Sequence, residues 1–388
     1  MHKIINSMVC LALTLLVGCN TTSEYNKPLE TFNHEAGYRF NNLDAGENSD
    51  SLFVILTFSG GGSRATALSL GVLEKLAATN IVWEGNECRL LDEVDVISSV
   101  SGGSFTSAYY GLFGDRIFED FKPTLYNENQ SILIKSAFAL PNIVKQASPL
   151  YSRTDTAANR YSENMFEGKT FGDLLVNSKR PYIIINATDM GIGQQFSFTQ
   201  NQFDYLHSDL SSYPVGYAVA ASSAFPGAFS SLILKNYHPD VQYWHDPWFA
   251  ESLKAEPLGS SRSATVRNTT SYLEPEKNFV HLSDGGVSDN LGLLPVIRSI
   301  ATPDWPFGFT PTIKAGKEQK VVIITVNAAK DTGDLLSYDN KQVGIISLLS
   351  NASGTPMDWF SLAQLEYMQL LGDYIENRND TIIPSHLI

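Results

Sequence analysis

The sequence predicts an α/β fold built on a parallel sheet, and three features carry that expectation. Two strand-loop-helix units follow one another near residues 52–78 and 94–110, and further β-rich runs lie at 182–185 and 278–283. Both units end their strand on small residues. Successive units of this kind pair their strands in parallel through right-handed crossovers.

The first strand is Leu52-Phe53-Val54-Ile55-Leu56-Thr57-Phe58, β-branched and aromatic, ended by Gly60-Gly61-Gly62. The segment from Arg64 to Ala78 then carries helical spacing at Leu68, Val72, Leu73 and Leu76. The second unit runs from Val94 to Ser98, turns at Ser101 and continues as a helix from Ser104 to Tyr110. In a parallel sheet both loops leave the carboxyl edge, where open α/β folds bind ligands, so the glycine loop and Ser101 become neighbours.

Ser99-Val100-Ser101-Gly102-Gly103 keeps the last glycine of the G-x-S-x-G elbow and puts serine at the first. Such a turn aims a serine hydroxyl out of the sheet. The N–H groups of Gly60, Gly61 and Gly62, ahead of a helix, together with that of Gly102, suit a developing oxyanion. One such donor is worth about 3 kcal/mol. The base expected for Ser101 is Asp284, which follows the strand Asn278–Ser283 and precedes Gly285-Gly286. It reaches the same edge if that strand is parallel. An ordinary aspartate, with a pKa of about 3.9, is a weak base, so the dyad depends on the oxyanion donors.

With these motifs in place the chain resembles the patatin-like phospholipase family. Ser59-Gly60-Gly61-Gly62-Ser63-Arg64 is similar to its oxyanion loop, Ser99 to Gly103 to its elbow, and Asp284-Gly285-Gly286 to its aspartate motif. Asn186-Ala187-Thr188-Asp189 and Ala221 to Gly227 also fit, and the likeness covers roughly residues 50–330. Two positions depart from the pattern, Ser59 for aspartate and Ser99 for glycine. The resemblance implies a three-layer α/β/α sandwich with a central, mostly parallel sheet. It also implies a Ser101-Asp284 dyad without histidine that cleaves acyl esters of lipids, with no metal or organic cofactor. Arg64 would steady the oxyanion loop, meet a substrate phosphate, or stand only as a first-turn surface arginine. A non-catalytic lipid-binding or envelope-assembly protein on the same scaffold is the alternative.

Other readings of the same residues are weaker. Gly60 to Ala65 fits G-x-G-x-x-A of dinucleotide sites, but the second strand ends in Ile97-Ser98-Ser99 without the acidic residue that holds a ribose. A Ser-Asp-His triad would need a histidine after Asp284, and only His386 follows; His281 should point to the other side of the sheet. His238, Asp240, His245 and Asp246 match no metal-binding spacing.

The amino terminus sets the expected location. His2-Lys3 precedes an apolar stretch from Ile4 to Val17, too short to span a bilayer, and Leu16-Val17-Gly18-Cys19 resembles the bacterial lipobox. Residues 1–18 are expected as a lipoprotein signal peptide, Cys19 as the lipidated residue, 19–50 as a polar tether, and 51–388 as one hydrolase domain. Asn20 leans toward outer-membrane sorting in the bacterial envelope. A net charge of −14 disfavours nucleic acid and offers no attraction to anionic lipid head groups, leaving the anchor or apolar surface to hold the membrane. Cys88 reads as a packed thiol.

Insertions are expected near 113–166 and 237–275. The first carries Ile132-Leu133-Ile134 and Ala137 to Pro141 and reads as a helix pair packed on the sheet, with a cap over the acyl pocket as the alternative; the second carries Trp244, Trp248 and Phe249. Leu362, Leu365, Met368 and Leu371 predict a helix over 359–375 that covers the sheet.

Overall fold

A computed structural model describes residues 26–134, 153–301, 320–329 and 345–378, apart from 34, 47, 50, 177–178, 227–228, 239–247, 249–250, 253 and 255–260. Its strands are β1 (Lys27–Pro28), β2 (Leu52–Phe58), β3 (Asn80–Trp83), β4 (Asn86–Arg89), β5 (Val94–Val100), β6 (Tyr182–Asp189), β7 (Gln194–Phe198), β8 (Ser208–Asp209), β9 (Leu232–Lys235), β10 (Phe279–Asp284) and β11 (Lys320–Val326). Its helices are α1 (Ser63–Ala77), α2 (Gly102–Phe113), α3 (Ile117–Ile134), α4 (Arg153–Asn164), α5 (Phe171–Val176), α6 (Gln200–Asp204), α7 (Val215–Ser222), α8 (Ser261–Thr270), α9 (Gly286–Asp289), α10 (Leu294–Ala301) and α11 (Ile345–Arg378).

The central sheet has the order β11-β2-β5-β6-β10-β9, with β7 also pairing β6, and helices surround it. Every residue of β2, β5 and β6 is buried, which explains their unbroken apolar runs: a parallel strand covered on both faces has no solvent side to alternate toward. β11, β2, β5 and β6 run parallel, as the strand-loop-helix order requires.

β10 differs from the sequence expectation of a parallel strand. It runs antiparallel to β6, with Asp284 opposite Ala187 and Leu282 opposite Asp189. The reason is that β6 overshoots β5: their pairing ends at Val100 opposite Asn186, and residues 187–189 project beyond the edge. β7 pairs β6 over Ile185–Asp189, occupying the other side, so β5 and β10 share one side of β6 and meet with their carboxyl ends together. Asp284 therefore still arrives at the end of β5, from the opposite direction.

Residues 26–49, which composition reads as tether, lie on the domain. β1 pairs β8, the Asn26 amide donates to Ser208 Oγ at 2.7 Å, and buried Arg39 and Asp204 form an ion pair at 2.7 Å. Tyr38 is fully buried, and its hydroxyl accepts the Ile183 N–H at 2.8 Å beside the ring of Phe171. The polar composition hides this because only a few of its residues, Tyr38, Phe40 and Leu43 above all, turn fully inward. The expected signal peptide, Cys19 and the first tether residues lie outside the described residues.

The helix expected over 359–375 is the end of the longer α11, and its buried face is not the one the leucines marked. Ser361, Gln364 and Leu371 are buried, whereas Leu362 and Leu365 are exposed. Steps of three residues fall short of 3.6 per turn and wind around the helix, so four residues spaced by three such steps do not share one face. Within the first insertion, α3 and α4 pack on each other, while residues 135–152 are outside the described ones. In the second, Trp248 is buried under the Arg262 guanidinium; Trp244 and Phe249 are not described.

Candidate active site

Ser101 sits at the junction of β5 and α2 with φ 50° and ψ −118°, a conformation that costs a non-glycine residue roughly 1–3 kcal/mol. The surroundings hold it there. Its N–H donates to Ser222 Oγ at 2.8 Å; Ser222 Oγ in turn donates to the Asn186 carbonyl at 2.6 Å and lies 3.0 Å from Ser104 Oγ. The Asn186 amide bonds Ser98 Oγ and the Ser99 carbonyl at 2.9 and 3.1 Å, tying β6 to the last turn of β5. Ser99, where glycine was expected, is accommodated because Ser107 Oγ donates to its hydroxyl at 2.6 Å, and that hydroxyl lies 3.3 Å from the Ile184 carbonyl.

Gly102 and Gly103 let α2 press on the loop after β2. A Cβ at Gly102 would run into the Gly62 carbonyl, and one at Gly103 would come within 2.7 Å of Phe58 Cβ. Thr66 clasps the junction: its hydroxyl donates to the Gly102 carbonyl at 2.7 Å, while its own carbonyl accepts from Thr106 Oγ1 at 2.9 Å.

The Ser101 hydroxyl donates to Asp284 Oδ2 at 3.0 Å. The other oxygen, Oδ1, accepts the Gly286 N–H at 2.8 Å, and the Asp284 carbonyl accepts from Thr188 Oγ1 at 2.8 Å. Burial pushes the Asp284 carboxyl up to about 6, opposed only by the Gly286 N–H and the Ser101 hydroxyl. A carboxylate raised this far is a better proton acceptor than an ordinary aspartate. Both residues are nearly enclosed, Ser101 at 8% exposure.

The glycine loop folds over the serine. Gly61 and Gly62 take φ 137° and 60°, values open to glycine. Among the expected oxyanion donors Gly60 is a correction: its N–H is spent on the Asn290 carbonyl at 2.9 Å, so it braces the loop. Ser59, standing for aspartate, ties the same loop to the chain beyond β11, since its hydroxyl accepts the Ala328 N–H at 2.8 Å. Arg64 Nε donates to the Ala328 carbonyl at 2.8 Å beside Gly61, which fits the loop-steadying role.

Ser101, Asp284, Gly60, Gly61, Gly62, Gly102 and Arg64 all line one cavity of about 520 Å³. Its apolar wall is Phe105, Leu125, Tyr161, Phe225, Phe229 and Met357. Leu125 and Tyr161 come from α3 and α4, so the first insertion walls the cavity. An acyl chain fits such a wall, while the serine and the glycine loop form its polar end.

A family model of patatin-like phospholipases matches residues 56–297, from within β2 to within α10. The chain belongs to the patatin-like phospholipase family. The match spans the glycine loop, the elbow and Asp284, and with it comes lipid acyl hydrolysis as the family's chemistry and lipid as its substrate class. No match was found among curated proteins.

Within this patatin-like site, sequence reasoning missed the braces. Ser222 lay in the Ala221–Gly227 stretch and Asn186 in Asn186–Asp189, but no local pattern marks a hydroxyl or amide that acts across strands. Asn290 stands outside every motif read from the sequence. Its neighbour Asp289 holds the chain after the aspartate: it accepts the Leu294 N–H at 2.8 Å and the Gln364 amide at 2.9 Å. His281 is exposed, with Nδ1 3.2 Å from Ser231 Oγ, and takes no part in the dyad. His238 Nε2 lies 3.1 Å from Asn278 Oδ1; His386, Asp240, His245 and Asp246 are outside the described residues. Burial pushes the half-buried Cys88 thiol up to about 11, in keeping with a packed, unreactive thiol.

Proposed function

We propose that the protein is a serine-dependent lipid acyl hydrolase of phospholipase A or lysophospholipase type, working through a Ser101-Asp284 dyad. Ser101 Oγ attacks the acyl carbonyl carbon as its proton passes to Asp284 Oδ2. The N–H groups of Gly61, Gly62 and Gly102 receive the oxyanion. Collapse breaks the ester bond, the leaving alkoxide takes the proton from Asp284, and the acyl chain remains on Ser101. Water then attacks the acyl-serine, gives its proton to Asp284, and the fatty acid leaves as Ser101 recovers its hydrogen. The acyl chain rests against Phe105, Phe225 and Phe229, and Arg64 holds the oxyanion loop.

The observation that carries this reading is the 3.0 Å contact between Ser101 Oγ and a buried carboxylate, in a cavity shared with the glycine loop and lined by no histidine among the described residues. In the same reading Cys19 is lipidated after removal of residues 1–18, and the enzyme works from the bacterial cell envelope on the bilayer that anchors it.

The test is turnover of a long-chain p-nitrophenyl ester and of phosphatidylcholine by the chain from residue 20 onward, which keeps every described residue. Release of fatty acid that falls on the order of 10³-fold or more in Ser101→Ala supports the proposal. Equal turnover by both chains, or none by either, contradicts it and favours a lipid-binding role.

A further inference from the structure

α11 has one side in the cavity and another in solvent. Met357 and Asp358 line the cavity, and Met357 Cε lies against Gly286, two residues after Asp284. The next turns of the same helix carry large apolar residues that the described residues leave largely exposed. At 3.6 residues per turn, Trp359, Phe360, Ala363, Tyr367 and Leu370 fall along one flank, while Asp358, Glu366, Gln369 and Asp373 fall along the other. Trp359 is 69% exposed, Leu370 66% and Phe360 42%; Ala363 is exposed and Tyr367 half-buried. No lysine or arginine precedes Arg378 in the helix.

We propose that this flank docks the enzyme on a zwitterionic lipid surface, presenting the cavity mouth to the bilayer. The inference rests on the hydrolase reading above and specifies how that site meets its substrate. Three observations converge on lipid as the occupant. The flank is continuous with the wall of a cavity whose family acts on lipids. It is uncharged and led by a tryptophan, the residue that favours the interface between head groups and acyl chains. Its neighbouring flank is acidic in a chain of net charge −14, which repels anionic surfaces and leaves zwitterionic ones. Among the described residues no helix is long and apolar enough to cross a membrane, so α11 would lie along the interface.

The experiment is flotation with vesicles of pure phosphatidylcholine, or of phosphatidylcholine mixed with phosphatidylglycerol. It uses the chain from residue 20 onward carrying Ser101→Ala so that vesicles stay intact. A Trp359→Ser/Leu370→Ser pair is compared with the parent, and Ala363→Glu serves as a second variant that removes no apolar packing. The expected result is binding to phosphatidylcholine that falls about tenfold or more in both variants and does not rise with phosphatidylglycerol. The same substitutions in the active chain should leave hydrolysis of a short, water-soluble ester unchanged.

Equal flotation of parent and Ala363→Glu would overturn the docking proposal, as would absence of binding to phosphatidylcholine. A flank that changes only the oligomeric state would be an interface with a second copy and would overturn it too. Loss of soluble-ester turnover in the unsubstituted active chain would count against the hydrolase reading alone, because flotation reads the flank without catalysis.

Discussion

The two ends of β5 each hold a buried carboxylate, and the contrast between them separates a structural acid from the proposed catalytic one. At the start of the strand, Asp95 accepts the Val54 N–H at 2.8 Å and an Arg180 guanidinium at 2.6 Å, with the Asn48 amide at 3.3 Å. At the far end, Asp284 has one N–H and the Ser101 hydroxyl. Burial raises both to about 6, so neither depth nor proton affinity tells them apart. The partners do. Asp95 is enclosed by groups that can only donate and is matched by a cation, which makes it a clasp. Among the described residues Asp284 has no cation beside it, and it faces a hydroxyl that can surrender its proton, in a cavity that admits a substrate.

Isosteric amides at the two positions should therefore fail in opposite ways, and this is the largest effect expected. Asp284→Asn should lower ester turnover on the order of 10³-fold, while Asp95→Asn retains activity in whatever fraction stays folded. Denaturant melts carry the second half of the contrast. At position 95 the new NH₂ would face donors and leave Arg180 unpaired, costing about 3 kcal/mol. At position 284 the amide satisfies both neighbours, because the Ser101 hydroxyl can turn to accept. Since the folded carboxyl lies above its ordinary value, ionising it costs stability as pH rises through roughly 4–6. Asp284→Asn should thus be more stable than the parent at pH 7.5, by at most about 3 kcal/mol, and lose that advantage near pH 4.

The pH profile sharpens the same point. A base must be ionised to accept a proton, so turnover should fall as pH drops through about 6, roughly tenfold per unit below it, when soluble-ester rates are followed on folded protein. Asp95→Asn should leave that midpoint in place; a shift there would mean that the wrong carboxylate has been assigned. The smallest effect is expected at Ser222. Ser222→Ala removes the acceptor for the Ser101 N–H and should slow turnover by about tenfold, with KM nearly unchanged, since it relaxes the serine's backbone without touching the acyl wall.

What was legible in the sequence was whatever is encoded within one strand-loop-helix unit. β2 with its glycines and β5 with Ser101 each carry their own signal, and a parallel pair puts them side by side without further information. The direction of β10 was not legible, because it depends on how far β6 overshoots β5, a property of pairing between distant segments. The packing of residues 26–49 was missed because three inward apolar residues are lost in a polar average. The leucines of α11 misled for a different reason: regular spacing was present but short of the helical period. Ser222, Asn186 and Asn290 reach the site by hydrogen bonds across elements, and such bonds leave no periodicity to read.

The central claim, that Asp284 activates Ser101, is tested most directly by mass-spectrometric mapping of a long-chain fluorophosphonate adduct on the chain from residue 20 onward and on its Asp284→Asn variant. The account predicts a single adduct on Ser101 in the parent and its loss in the variant, with both proteins folded. No adduct on Ser101 in the folded parent, or equal labelling of the two, would contradict it.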